Sequence, residues 1–315
     1  MSLQLPLSSG HWNPCTYARP YVDSSGLVAG TTSAEEFLTT IIRHCPEVSP
    51  SNVRVIMTGT RHRFVPSETG ARHPLANVEP HTVKRVFFLG VDNRSALIGV
   101  QVHESDTEGY ADLRRVTDRM DPTDMQLIAT CAGLGAWHDN AGYCARCGGG
   151  SAPSSGGWER ICERCGRIEY PRTDPSIIVA IFDHADRLLV AHNKMWRAGY
   201  ASLVAGFMEM GEAPEQTVVR ETREEVGLQV DRVEYVASQA WPFPRSLMLG
   251  FRARVRDGAP CEPIPDGQEI EWARFFSREE YGHALSVGEI EAPGPISIAR
   301  AMITEWYGRP LPTRS

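Results

Sequence analysis

Two Cys-x-x-Cys pairs, Cys144-Ala-Arg-Cys147 and Cys162-Glu-Arg-Cys165, constrain this chain more than any other feature. Each pair turns tightly enough for both sulfurs to face one ion. Four thiolates close a tetrahedral shell around zinc and leave no open position for chemistry. One structural Zn²⁺ per chain is therefore expected at Cys144, Cys147, Cys162 and Cys165. Fourteen residues separate the pairs, just under the usual window for this pattern. Gly148 and Gly166 follow the second cysteine of each pair, where a knuckle backbone tolerates glycine best. Four unrelated core cysteines would not repeat this spacing. A nucleic-acid-binding ribbon stays open at this point, although the flanking charges are only weakly basic. The other four cysteines, Cys15, Cys45, Cys131 and Cys261, are scattered and read as small core or surface residues.

The cysteine-rich stretch divides the chain into a mixed α+β N-terminal domain (1–139), a zinc ribbon (140–170) and an α/β C-terminal domain (171–315). A length of 315 residues suits two domains plus a small module. In the first part, strand-like runs occur at 53–57, 83–89 and 96–102. A helical pattern covers 123–137, with Asp121-Pro122 as its start. The 148–157 stretch between the cysteine pairs reads as a flexible glycine-serine loop. Downstream, 176–182, 187–191, 233–238 and 247–255 read as strands, and 215–226 and 296–307 as helices. Interleaved strands and helices make this part an α/β unit.

Hydrophobic residues at 42% allow sizeable cores, and a net charge of −7 excludes a global basic field for duplex DNA. No run approaches the roughly 18 apolar residues of a membrane span. The first ten residues lack the basic start and apolar run of a secretory signal. A cytoplasmic location follows as an expectation, and there paired cysteines read as metal ligands, not disulfides.

The segment 206–228 carries the chemistry. Pro214 suits a helix's first turn and Gly227 its stop. On that helix Glu221, Glu224 and Glu225 stand three and four apart and share a face. Three like charges repel, but a hard oxygen-seeking cation turns repulsion into coordination. Arg220 is placed to neutralise and orient Glu224 at i+4. The segment resembles the Nudix signature, Gly-x5-Glu-x7-Arg-Glu-aliphatic-x-Glu-Glu-x-Gly-aliphatic, at Gly206, Glu212, Arg220, Glu221, Glu224, Glu225, Gly227 and Leu228. Thr222 stands where that pattern has an aliphatic residue; its methyl group can still pack, at a mild cost.

Ten residues on comes Ser238-Gln-Ala-Trp-Pro-Phe-Pro-Arg-Ser246. Alone it is a stiff aromatic turn. In this position it resembles the Ser-Gln-Pro-Trp-Pro-Phe-Pro-x-Ser motif of the NADH pyrophosphatase, or NAD-capped RNA hydrolase, branch of the Nudix family. The ribbon, the Tyr170-Pro171-Arg172 run and the Nudix box follow in that branch's order, and the resemblance covers about 110–307. Ala240 replaces the motif's first proline and removes one backbone restraint.

The resemblance implies a Nudix α/β/α sandwich and more than one catalytic Mg²⁺ or Mn²⁺ held by Glu221, Glu224, Glu225, Glu269 and the Ala205 carbonyl. It implies catalytic roles for Arg220, Glu221, Glu224 and Glu225. Substrate contacts are implied for Gln239, Ala240, Trp241, Pro242, Phe243, Pro244, Arg245 and Ser246, and for Tyr170, Phe207, Ala299 and Arg114. Gly157 stands where some members have an acidic residue. A homodimer is implied, with NAD(H) or the NAD-capped 5′ end of RNA as partner. The implied reaction splits the diphosphate of NAD(H) into NMN(H) and AMP, or removes an NAD cap to leave 5′-monophosphate RNA. Two rivals remain: a Nudix hydrolase of ADP-ribose or another dinucleotide, and a non-catalytic zinc-ribbon RNA-binding protein.

Overall fold

The structure, a computed structural model, describes residues 3, 5–60, 63–68, 70–92, 94–103, 109–116 and 120–312. The expectation on the first ten residues thus falls partly outside the described residues. The chain divides into two compact units. One comprises Met1–Leu5, Asp174–Ala240 and Ser246–Ser315; the other comprises Pro6–Thr173 and Trp241–Arg245.

In the Pro6–Thr173 unit, α1 (Ser24–Ala29) and α2 (Ala34–His44) precede β1 (Asn52–Thr58), β2 (Arg63–Phe64) and β3 (Arg72–Pro74). β4 (Val83–Val91), β5 (Ser95–Val102), β6 (Ala111–Asp112) and α3 (Pro122–Asn140) follow. The strands order as β4-β5-β1-β2-β6, with β3 also on β1. Every residue of β5 is buried, because the sheet is covered on both faces. Phe37 and Ile41 of α2 pack with Val55, Ile98 and Val100 in one buried cluster. α3 begins as expected: the Asp121 carboxylate accepts from the Thr123 and Asp124 N–H groups at 2.9 and 3.2 Å.

The ribbon sheet orders as β7 (Ser151–Ser154), β8 (Glu159–Cys162) and β9 (Ile168–Glu169). The expected flexible loop at 148–157 is thereby corrected. Ser151 to Ser154 pair antiparallel with Cys162 to Glu159, so backbone hydrogen bonding overrides a weakly strand-forming composition.

The other unit contains β10 (Asp174–Phe182), β11 (Leu188–Asn193), β12 (Val204–Phe207) and α4 (Pro214–Val226). It continues with β13 (Val230–Trp241), β14 (Ser246–Val255), β15 (Ile270–Phe276), α5 (Arg278–Ser286) and α6 (Ile298–Tyr307). The sheet order is β13-β14-β10-β11-β15, with β12 antiparallel to β10. β10 explains the layering. Its side chains alternate between faces. Ile177, Val179 and Ile181 join Val218 and Val226 of α4, whereas Ile178, Ala180 and Phe182 join Tyr281 of α5 and Ile303 of α6. Helices on both sides of one sheet give an α/β/α sandwich. Each fully buried aliphatic or phenyl side chain contributes about 1.5–3 kcal/mol relative to exposure.

Candidate active site and metal centres

α4 forms where its boundaries demand. Pro214 occupies the first turn, and the Gln216 side chain accepts from the Ala213 N–H at 2.9 Å. Gly227 ends the helix in the left-handed region at φ 68°, its N–H donating to the Arg223 carbonyl at 3.1 Å. Only glycine adopts that conformation without strain.

Arg220 organises the acidic face. Its Nη1 donates to Glu221 Oε1 at 2.8 Å and to Glu224 Oε2 at 3.0 Å. Its main partner is Glu212, bound through Nε at 2.8 Å and Nη2 at 2.9 Å, and Nη2 also reaches the Phe207 carbonyl at 2.9 Å. Sequence reading placed Glu212 in the box without a role. The hydrogen bonds from Arg220, then the Glu209 N–H, hold its carboxyl down to about 2. Glu212 stays ionised and fixes the guanidinium that orients the other two.

Glu225 differs. It is buried, and no ion pair forms on it among the described residues. Burial, then the charges of Glu221 and Glu269, push its carboxyl up to about 8. Burial also raises Glu221, against the pull of Arg220. The site is thus an all-oxygen donor set with an uncompensated buried member, which fits a hard divalent cation. The carboxylates are not drawn together in advance. Among the described residues, no three glutamate or aspartate side chains bring oxygens within 4.8 Å of one another.

Gly206 makes room for this arrangement. A Cβ there would lie 2.0 Å from the Glu221 carboxyl carbon, so any side chain displaces Glu221. The Gly206 carbonyl accepts from the Ser176 hydroxyl at 2.8 Å, a contact no sequence pattern signalled. Ala205 sits one residue back on β12, opposite Ile178 of β10. Exposed Glu269 follows a turn in which Asp266 Oδ1 accepts from the Gln268, Glu269 and Ile270 N–H groups at 2.9–3.1 Å. Sequence reading missed Asp266, although Asp266-Gly267 is a recognisable turn dipeptide.

Thr222 is fully buried, and its hydroxyl finds no hydrogen-bond partner. The departure from the aliphatic pattern therefore leaves an unpaired polar atom in the core, in addition to the mild packing change expected. Such a group costs about 1–3 kcal/mol.

The remaining candidate residues divide between the units. In the Asp174–Ala240 and Ser246–Ser315 unit, the Phe207 ring is exposed and Ala240 is exposed at the end of β13. Gln239 is fully buried and donates to the Ile296 carbonyl at 2.6 Å, so its side chain braces that loop. Ser246 is buried at the start of β14. Ala299 is buried in the first turn of α6, its N–H donating to the Ser297 hydroxyl at 3.2 Å. In the other unit, the rings of Trp241 and Phe243 meet edge to face at 4.7 Å. Pro242 is buried, Pro244 and Arg245 are exposed, and Phe243-Pro244 is cis. The Arg114 guanidinium lies 5.9 Å over the Phe243 ring and is held by Asp112 at 2.8 and 3.1 Å. Tyr170 is exposed. Gly157 adopts φ 86°, and a Cβ there would lie 2.6 Å from the Phe87 ring, which leaves no space for an acidic side chain.

The four ribbon sulfurs lie within 4.8 Å of one another, at 3.5–3.8 Å for the hydrogen-bonded pairs. A tetrahedron with bonds of about 2.3 Å has edges of about 3.8 Å, so the residues fit zinc. Gly148 and Gly166 take φ 69° and 68°, and their N–H groups donate to the carbonyls of Cys144 and Cys162, both at 2.9 Å. The two knuckles share one geometry. The Cys165 N–H, 3.5 Å from the Cys162 sulfur, helps hold that thiol down to about 6 and favours the thiolate.

The comparisons with known proteins agree with this geometry. The NUDIX domain family matches residues 172–293, and the NADH pyrophosphatase zinc ribbon domain matches residues 139–170. A relative from Stutzerimonas stutzeri, named NAD-capped RNA hydrolase NudC, is 38% identical over 199 residues, covering 63% of this chain and 68% of that protein. The chain belongs to the NudC branch of the Nudix family. A NudC of the same name from Mycobacterium tuberculosis is 43% identical over 205 residues. The match covers 62% of this chain and 64% of the mycobacterial protein, so just under two thirds of that protein is represented. A NUDIX hydrolase structure from Nitrosomonas europaea aligns at 25% identity with a TM-score of 0.40, covering 55% of this chain and 96% of that one. Among the described residues, no helix is long and apolar enough to cross a membrane.

Proposed function

We propose that this Nudix protein hydrolyses the diphosphate of NAD(H) to NMN(H) and AMP, and by the same chemistry removes NAD caps from RNA to leave NMN and 5′-monophosphate RNA. The carrying observation is the buried, uncompensated Glu225 within a cluster of carboxylates that Arg220 and Glu212 keep oriented. Mg²⁺ or Mn²⁺, held by Glu221, Glu224, Glu225, Glu269 and the Ala205 carbonyl, would supply charge neutralisation at the diphosphate and acidify a bound water.

The chain's own groups do the rest. A water oxygen adds to one phosphorus, the bridging P–O bond breaks, and both products leave as monophosphates. Glu225, buried beside the other carboxylates, takes the proton of that water. Arg220 and Glu212 keep Glu221 and Glu224 in place. Substrate selection is assigned to aromatic faces: the exposed rings of Phe207 and Tyr170, and the half-buried Trp241–Phe243 pair with Arg114 over Phe243. Flat bases stack on such faces at about 1–3 kcal/mol each. Gln239 acts by bracing the Ile296 loop. The ribbon carries one structural zinc. The protein is assigned to the cytoplasm as a homodimer.

The test is release of NMN or NMNH by zinc-loaded protein with Mg²⁺ or Mn²⁺, measured in parallel on NADH, NAD⁺, ADP-ribose and NAD-capped RNA. Turnover of NADH or capped RNA above ADP-ribose is expected. No metal-dependent release from either NAD-containing substrate overturns the proposal.

A further inference from the structure

Three ligand side chains far apart in sequence meet outside the ribbon. Cys15, Cys45 and Glu47 bring one ligand atom each to within 4.8 Å of one another. Their backbones are fixed independently. Cys15 follows a bridge in which Asn13 and Val91 exchange N–H···O bonds of 2.8 and 2.7 Å. The Asn13 side chain accepts from the Cys15 N–H at 2.8 Å, and Cys15 itself sits at φ 42°, a strained conformation for a residue with a Cβ. Cys45 caps the C-terminus of α2, its N–H donating to the Ile41 carbonyl at 2.8 Å. Glu47 follows through Pro46, and Asn13 Nδ2 donates to its carboxylate at 3.1 Å. The one asparagine thus positions both the Cys15 backbone and the Glu47 side chain.

We propose that Cys15, Cys45 and Glu47 form a second metal site, which takes a zinc-class divalent cation in an open three-ligand shell. Two sulfurs and one oxygen form a borderline-soft donor set that suits zinc. Ligand atoms on a tetrahedral zinc stand about 3.3–3.8 Å apart, a small rotamer adjustment from the arrangement here. Both cysteines are almost wholly buried, at 2% and 1% exposure, whereas Glu47 is exposed. The ion would enter from the glutamate side and keep its fourth position toward solvent. Charge also balances. Two thiolates and a carboxylate carry one more negative charge than the ion neutralises, and the Arg19 guanidinium acts on Cys15.

Full-length protein loaded with excess zinc chloride under reductant and then desalted should hold two zinc ions per chain by mass spectrometry of the elements. C45S should hold one. Because Cys45 is buried and its variant can misfold, Glu47→Gln at the exposed ligand is the second arm. E47Q should release its second zinc to a chromophoric chelator with affinity lowered by at least the about 10–100-fold that loss of an outer-shell partner costs. Cobalt(II) should add a thiolate charge-transfer band that C15S abolishes while the ribbon's band remains. One zinc per loaded wild-type chain overturns the site. So does a second zinc indifferent to both C45S and E47Q. A Cys15–Cys45 crosslink in reductant-free peptide maps, with no second zinc after reduction, identifies the pair as a disulfide and overturns it equally.

Discussion

The ribbon cysteines and the α4 glutamates are two candidate metal-ligand sets, and they are held in opposite ways. The four sulfurs already stand at the separations of a zinc tetrahedron, fixed by two knuckles of the same backbone geometry. Among the glutamates, Arg220 bridges Glu221 and Glu224, while Glu225 is buried and no ion pair forms on it among the described residues. A structural ion needs a closed shell that costs nothing to reorganise. A catalytic ion must admit substrate and water, so its ligands keep freedom and hold uncompensated charge until ion and diphosphate arrive.

The largest test of this contrast is Cys144→Ser. It should empty the ribbon site, whose binding energy for structural zinc is on the order of 10 kcal/mol, and unfold the ribbon. Loss of zinc with intact protection of ribbon amides in hydrogen exchange would break the comparison. Next is E225Q, which should lower kcat by about 10²–10⁴-fold while zinc content stays unchanged.

The same variant reports on pH. The folded-state affinity of Glu225 for protons is raised, to about 8, so its contribution to metal-free stability is greatest below the ordinary glutamate range and is lost as pH rises through about 8. In thermal melts without metal, E225Q should therefore gain on the wild type between pH 5 and pH 8. A constant difference would show that Glu225 is not desolvated. Divalent cation should reverse the order at pH 8.

Gly206→Ala sharpens the contrast further. Its Cβ overlaps the Glu221 carboxylate, the movable end of a side chain, so kcat should fall by about 10²-fold with little loss of stability. The smallest effect is Thr222→Val. It removes an unpartnered buried hydroxyl and should raise stability by about 1 kcal/mol in denaturant titration, with activity unchanged.

Legibility in the sequence followed local chemistry. α4 and α3 were readable to within a few residues because Pro214, Gly227 and Asp121 mark their ends. β10 was readable as a β-branched run. β12 and β15 were not, because short strands paired across the sheet carry little periodicity of their own. α1 and α2 also escaped notice, although Asp23 and Ser33 cap them in ordinary fashion. At the candidate site, the carboxylates and Arg220 were legible from spacing, whereas the dominance of Glu212 over Arg220 was not, since it lies eight residues away through a loop.

By itself the sequence determined the ligand types, their local spacing and the helix that carries the glutamates, because neighbours along a helix or knuckle are placed by backbone geometry alone. Tertiary structure decided what depends on distant neighbours. It buried Glu225 and raised its proton affinity, stranded the Thr222 hydroxyl, turned Gln239 inward, and brought Cys15 to Cys45 and Glu47 across thirty residues of chain. Burial and desolvation arise from whatever packs against a residue, and no local pattern encodes that.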